Sequence, residues 1–253
     1  MTEPGGPTRA DDATADRRKP TVVSTLVWFL VVEGLLALTT VPTLVWLLFL
    51  EARWSTVPLM VALGVPVGPA LSAALFAWRR FTLDHDRHPA RHFWRGYRLN
   101  WADALRVWVP SLTVVALLAL YLRTLLGSDD ASIAFTVLGV VAALLAVVWT
   151  AHAMLVVSLF SFRARDVLRV AVYFVLARPR ASVGAFAIVA AGVAAAWFVH
   201  PWLPVALASV LTYLLWRNGS AIAAEVERRF VAGAPEAPQS EPSTGERSTD
   251  GSR

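Results

Sequence analysis

Cysteine is absent from the 253-residue chain, and lysine occurs once, at Lys19. The first absence excludes disulfides, thiolate metal sites and cysteine nucleophiles, and it leaves the compartment open. Charged residues are also sparse, 16% against 57% hydrophobic, with a mean hydropathy of +0.56. That is more apolar surface than one water-soluble core buries, so a bilayer is the natural solvent. No Walker motif, Ser-x-x-Lys, His-Glu-x-x-His or Gly-x-Ser-x-Gly occurs. Neither an enzyme nor a cofactor is therefore expected. The 22 arginines and abundant alanine fit GC-rich bacterial coding, not a nucleic-acid partner.

A span needs about 20 mainly apolar residues to cross about 30 Å of hydrocarbon. Six segments qualify: about 22–50, 57–78, 107–126, 132–160, 182–199 and 202–216. The first is too long for a cleavable signal peptide and has no cleavage motif. Its excess length implies tilt or a kink at Pro42. The sixth, about 15 residues or 22 Å of helix, must thin the bilayer, extend past Trp216, or be a re-entrant hairpin with the fifth. The flanks 1–20 and 232–253, rich in Pro, Gly, Ser, Thr and charge, read as disordered tails around a transmembrane domain of residues 21–231. The expected fold class is all-α: a polytopic helical membrane protein with about six transmembrane helices and two interfacial amphipathic helices.

Charge sets the orientation. If all six segments cross, 21 of the 23 basic residues fall on one side, in the N-tail, the loops after spans two and four, and the C-tail; only Arg53 and Arg123 fall on the other. The positive-inside rule then makes both termini cytoplasmic, in a bacterial plasma membrane. The pI near 10.4 is thus a topology signal. In the first loop Trp94, Tyr97, Trp101, Leu105 and Trp108 recur at helical spacing, with Arg91, Arg95, Arg98 and Arg106 elsewhere around the helix. In the second, Val167, Leu168, Ala171, Phe174 and Val175 form an apolar face beside Arg165, Arg169 and Arg178. Both read as helices in the headgroup layer. The strings Asp103 to Val109 and Asp166 to Val172 match at five of seven positions, by an internal duplication or because two helices share one physical task. The tryptophans near span ends (Trp54, Trp78, Trp94, Trp101, Trp202, Trp216) read as an aromatic belt. Gly184, Ala187, Ala191 and Ala195 form a small-residue stripe suited to close packing within the chain or in a homo-oligomer.

The run Gly64-Val-Pro66-Val-Gly68-Pro69-Ala-Leu-Ser72, then Arg79-Arg80 and Phe93-Trp94-Arg95-Gly96-Tyr97-Arg98-Leu-Asn100, resembles the YesL-like bacterial membrane proteins over about residues 22–218. That resemblance implies a multi-span membrane protein with an accessory or regulatory role beside carbohydrate ABC-type uptake, with ABC transporter permease subunits as partners. It supplies no catalytic residues. The stretch around Leu47 to Ala62, with Glu51, Arg53 and Trp54, departs from the family's pattern.

Two constellations carry the functional alternatives. Glu33 is the only acidic residue inside a proposed span and His152 the only histidine well inside one. They lie about 5 Å and 9 Å to the cytoplasmic side of their span centres, so they form a candidate intramembrane polar site. The bland reading is a Glu33 hydrogen-bonded to Thr39, Thr40 or Thr150 as structural glue. Gly64, Pro66, Gly68 and Pro69 interrupt span two, as a transporter's broken helix would to offer backbone carbonyls, or as an ordinary packed proline kink. His85, His88 and His92 with Asp84 and Asp86 match no metal-site spacing, and no metal is expected there. The accessory role thus competes with a stand-alone proton-coupled or small-solute transporter. The few hydroxyl-binding groups in the spans favour the former.

Overall fold

The computed structural model describes residues 22–49, 57–84, 88–127, 132–160 and 164–228. These residues form α1 (Val22–Thr39), α2 (Val41–Phe49), α3 (Val57–Gly64), α4 (Val67–Asp84), α5 (Pro89–Leu126), α6 (Ile133–Leu159), α7 (Ala164–Ala177), α8 (Pro179–Phe198), α9 (Leu203–Ala206) and α10 (Ala208–Val226), with no strand among them. The expected tails, together with Glu51, Arg53, Trp54, His85 and Asp86, lie outside the described residues.

Among the described residues five helical stretches are long and apolar enough to cross a membrane: Val22–Thr39, Val61–Leu83, Pro89–Leu126, Ile133–Leu159 and Pro179–Phe198. The chain is an all-α, multi-pass membrane protein. The first half of α6 shows why a bilayer is required. Ile133, Phe135, Val137, Leu138 and Leu145 all point outward, an apolar surface that water would not tolerate on a helix hydrophobic all round. Its second half, Thr150 through Leu159, is buried on every side. The bundle is therefore tight at one end of α6 and open to lipid at the other.

The expected spans need several corrections. The first is two helices, because the chain breaks at Thr40 and Pro42 enters the first turn of α2, where a missing N–H costs nothing. The second is likewise broken, between Gly64 and Val67. The third is the latter half of α5, whose 38 residues reach about 57 Å, nearly twice the hydrocarbon thickness. The sixth is misplaced. Pro201 and Pro204 confine the chain to the short α9, and the long helix runs from Ala208 to Val226. With Arg217, Asn218 and Glu225 it is not among the five apolar stretches. α10 retraces α8 along its length, Leu211 against Gly192 and Asn218 against Gly184. The segment thus extends past Trp216, one of the outcomes expected for it.

The interfacial helices also differ from expectation. The first is no separate element but the N-terminal half of α5, and its buried face is Phe93, Gly96, Ala104 and Val107. Trp94 and Trp101, expected on the apolar face, are exposed. Small residues explain the choice: a Cβ on Gly96 would lie 2.8 Å from Phe76 Cβ, and one on Gly68 2.6 Å from Trp108 Cβ, so α4 and α5 pack antiparallel at backbone contact. α7 keeps its expected face, with Val167, Ala171 and Phe174 buried. The matched strings now have a shared task. Ala104 and Val107 of one, and Val167 and Ala171 of the other, pack in a single cluster with Ala153, Met154, Val156 and Val157 of α6.

Two expected belt residues, Trp78 and Trp216, are core residues instead. Trp78 lies among Trp28, Phe29, Phe81 and Tyr213, at ring-centroid distances of 4.7–6.1 Å. The small-residue stripe splits as well. Gly184 faces α10 within the chain, whereas Ala187 and Ala191 are exposed.

Candidate functional site

Prolines at 66 and 69 remove two helical donors, and the accounting of freed carbonyls decides what the break between α3 and α4 can do. Ala62 O accepts from Val65 N (3.2 Å), and Val65 O accepts from Gly68 N (3.3 Å), both as tightened turns. Ala70 N donates to Pro66 O at 3.3 Å. The two remaining carbonyls are met by side chains: Thr43 Oγ1 of α2 donates to Leu63 O, and Trp108 Nε1 of α5 donates to Gly64 O at 2.9 Å. Gly68 supplies the notch that admits the indole. Thus each carbonyl freed by the break at Gly64, Pro66, Gly68 and Pro69 has a donor, and none is left bare toward a cavity. Trp108 was legible only as one tryptophan of a stripe, although a buried indole N–H always needs an acceptor.

Glu33, half-buried on α1, accepts a hydrogen bond from Ser209 N at 2.7 Å. Ser209 stands in the first turn of α10, where backbone donors are unpaired and the helix dipole favours an acceptor oxygen. The contact opens a short chain of bonds: Trp78 Nε1 donates to Thr212 Oγ1 at 3.0 Å, and Thr212 Oγ1 donates to Ser209 O at 3.0 Å. Glu33, Ser209, Thr212 and Trp78 therefore tie α1, α4 and α10 together. The threonines expected to hold Glu33 turn back on their own helices, Thr39 to Leu35 O, Thr40 to Leu36 O and Thr150 to Ala146 O.

His152, buried on α6, meets Ser182 Oγ of α8 at 3.1 Å. Ser182 Oγ donates its single proton to Val175 O at 3.0 Å, so it accepts from His152 and the imidazole carries its proton on Nε2. The pair pins the α7–α8 corner against α6. Glu33 and His152 thus have different partners on different helices, and no hydrogen bond joins them.

The polar cluster at the tight end had no signature in the residue pattern. Arg79 donates to Leu159 O (3.2 Å) and pairs with Glu227 (3.2 Å). Glu225 pairs with Arg178 and Arg228. Asn100 Nδ2 donates to Ser158 O (2.9 Å) and Asn218 Nδ2 to Ala181 O (2.7 Å). These bonds explain how α10 carries Asn218 and Glu225 within the bundle, while Arg217 is exposed. Of the histidines considered for a metal, His92 stacks on Trp28 at 6.2 Å, and no group of three potential ligands occurs among the described residues.

Two crevices stand out among the described residues. One of about 210 Å³ lies between α1, α2, α4, α9 and α10, lined by residues such as Leu36, Leu44, Leu71, Val205 and Thr212. The other, about 240 Å³, lies between α4, α5, α6, α8 and α10 and includes Trp108, Leu112, Val147, Met154 and Val189. The hydroxyls on their walls at Thr40, Thr43, Ser111, Thr150 and Thr212 all donate to backbone carbonyls. Both suit hydrocarbon better than a sugar.

Replacing Glu33 separates its structural role from a proton-carrying one. E33Q keeps an acceptor for Ser209 N and is expected to match the native protein in thermal unfolding in detergent. E33A removes the acceptor and is expected to cost about 1–2 kcal/mol. Equal loss in both variants would mean that the contact with Ser209 is not what Glu33 contributes.

No protein family, curated protein or solved structure matches the chain.

Proposed function

We propose that this protein is an accessory or regulatory membrane component that works beside another transport protein, and does not itself conduct a polar solute. One observation carries the reading: among the described residues the polar groups between helices bond to one another or to backbone, with buried Ser72 Oγ the lone exception, and the two crevices between them have hydrocarbon walls. A sugar pathway requires several free hydroxyl-binding groups lining one cavity. The similarity of residues 64–109 to YesL-like proteins supports the narrower form, in which the partner is the permease pair of a carbohydrate ABC-type importer, engaged by one copy of this chain or a homo-oligomer. The stand-alone transporter retains one supporting feature, the intramembrane Glu33.

Purification of the full chain from its native membrane is expected to bring down permease subunits, and proteoliposomes of the lone protein are expected to accumulate no sugar and to show no response to a proton gradient. Sugar accumulation by the isolated protein would overturn the reading in favour of the transporter.

The same proposal places both tails and the charged ends of α4, α5 and α10 in the cytoplasm of a bacterium, on the strength of the arginine bias. Reporter fusions after residues 20, 90, 170 and 230 should then read as cytoplasmic, and those after 54 and 130 as external. A cytoplasmic signal at 54 or 130 would refute this orientation.

A further inference from the structure

From the N-terminal half of α5 we infer a surface that binds anionic phospholipid headgroups through Arg91, Arg95, Arg98 and Arg106. At about 100° per residue these four side chains fall within a sector of about 80°, opposite the buried face of Phe93, Gly96, Ala104 and Val107. All four are exposed. Arg106 pairs with Asp103, while Arg91, Arg95 and Arg98 make no ion pair among the described residues. Trp94 and Trp101, each about half exposed (50% and 53%), flank the stripe on one side, and Leu99 flanks it on the other.

Two observations put this stripe at a membrane surface instead of in open water. First, α5 runs without interruption from Arg106 into Val109, Val114 and Leu117, which are outward-facing apolar residues, so hydrocarbon begins within one turn of the last arginine. Pro110 stands at that boundary and removes the hydrogen bond to Arg106 O, which lets the helix bend there. Second, the stripe does not project as a free arm. The packing of Gly96 on Phe76 and of Gly68 on Trp108 lays it alongside α4, within the apolar stretch Val61–Leu83.

An ionised arginine facing acyl chains costs a few kcal/mol even on insertion scales, and four in one stripe could not be borne. Phosphate oxygens at the headgroup level resolve the conflict. They accept the guanidinium forks bidentately, while the indoles of Trp94 and Trp101 occupy the amphipathic layer they prefer. The partner that fits is a lipid with net negative charge, since a zwitterionic headgroup offers the phosphate but not the surface potential.

The test equilibrates the full chain, purified in detergent, with equal amounts of phosphatidylglycerol and phosphatidylcholine, then counts retained lipids by native mass spectrometry. We expect about fivefold or greater enrichment of phosphatidylglycerol, falling as salt is raised. R91Q/R95Q/R98Q/R106Q should bring the ratio near parity, and the four corresponding Arg→Lys changes should keep most of the preference. Equal retention of both lipids by the native chain overturns the proposal, as does a preference that survives the four glutamines. Should the glutamine variant not fold, loss of the preference in the lysine variant would also count against it. Binding of polyglutamate to the stripe with no lipid preference would assign it to an acidic protein partner, and is likewise an overturning result.

Discussion

Trp78→Ala is expected to lower the unfolding free energy in mild detergent by about 3–5 kcal/mol, the usual cost of emptying a fully buried indole site. Trp78 is completely buried, in contact with rings from α1, α4 and α10. In a bilayer the packing of such rings is worth more than their transfer from solvent, because lipid tails are as apolar as the core. The indole also donates to Thr212, whose own proton goes to Ser209 O. Trp78→Phe should therefore keep most of the packing and lose about 1 kcal/mol for the hydrogen bond. Reversible unfolding followed by tryptophan fluorescence and by circular dichroism separates the two variants. An alanine variant within about 1 kcal/mol of the native protein would mean that the aromatic cluster does not join these helices.

Gly68→Ala is expected to destabilise by about 2–4 kcal/mol, although the added group is one methyl. Its Cβ would sit 2.4 Å from Trp108 Cγ and 2.6 Å from Trp108 Cβ. Those atoms are at the root of the side chain, and the indole tip is held on Gly64 O, so relief requires α4 and α5 to separate. Overpacking of this kind costs about 1–3 kcal/mol, and loss of the bond to Gly64 O adds about 1 kcal/mol. Gly34→Ala is the matched control. Nothing lies within 4 Å of its Cβ, and alanine is the better helix former, so it should be neutral or stabilise by about 0.5–1 kcal/mol. Were Gly34→Ala the damaged protein and Gly68→Ala the intact one, the register of α4 on α5 would be wrong.

Part of the candidate site was legible in residue types alone. Glu33 and His152 stood out because an ionisable side chain in an apolar run must find a partner, and both do. Which partner each finds was not legible. Ser209 N is a backbone donor exposed only because α10 begins at Ala208, after the prolines at 201 and 204. Ser182 meets His152 because α8 turns back along α6 at Arg178 and Pro179. The break in span two was likewise foretold by Pro66 and Pro69, but its harmlessness depends on Trp108, which lies 40 residues along the chain from Gly68.

What the sequence by itself determined is therefore the solvent and the class of fold. Runs of apolar residues of bilayer length force helices that satisfy their own backbone, and that constraint acts locally, span by span. Only the tertiary structure decided which helix faces are buried. Every face of a transmembrane helix is apolar, so hydrophobic periodicity cannot choose among them. Along α5 the choice fell to Gly96 and Ala104 over the larger Trp94 and Trp101, because small residues let backbones approach and close packing is what joins helices in lipid. The same rule placed α10. Its Arg217, Asn218 and Glu225 disqualify it as a span by composition, yet Asn218 over Gly184 and Glu225 against Arg178 fit it against its neighbours, a match made by residues far apart in the chain.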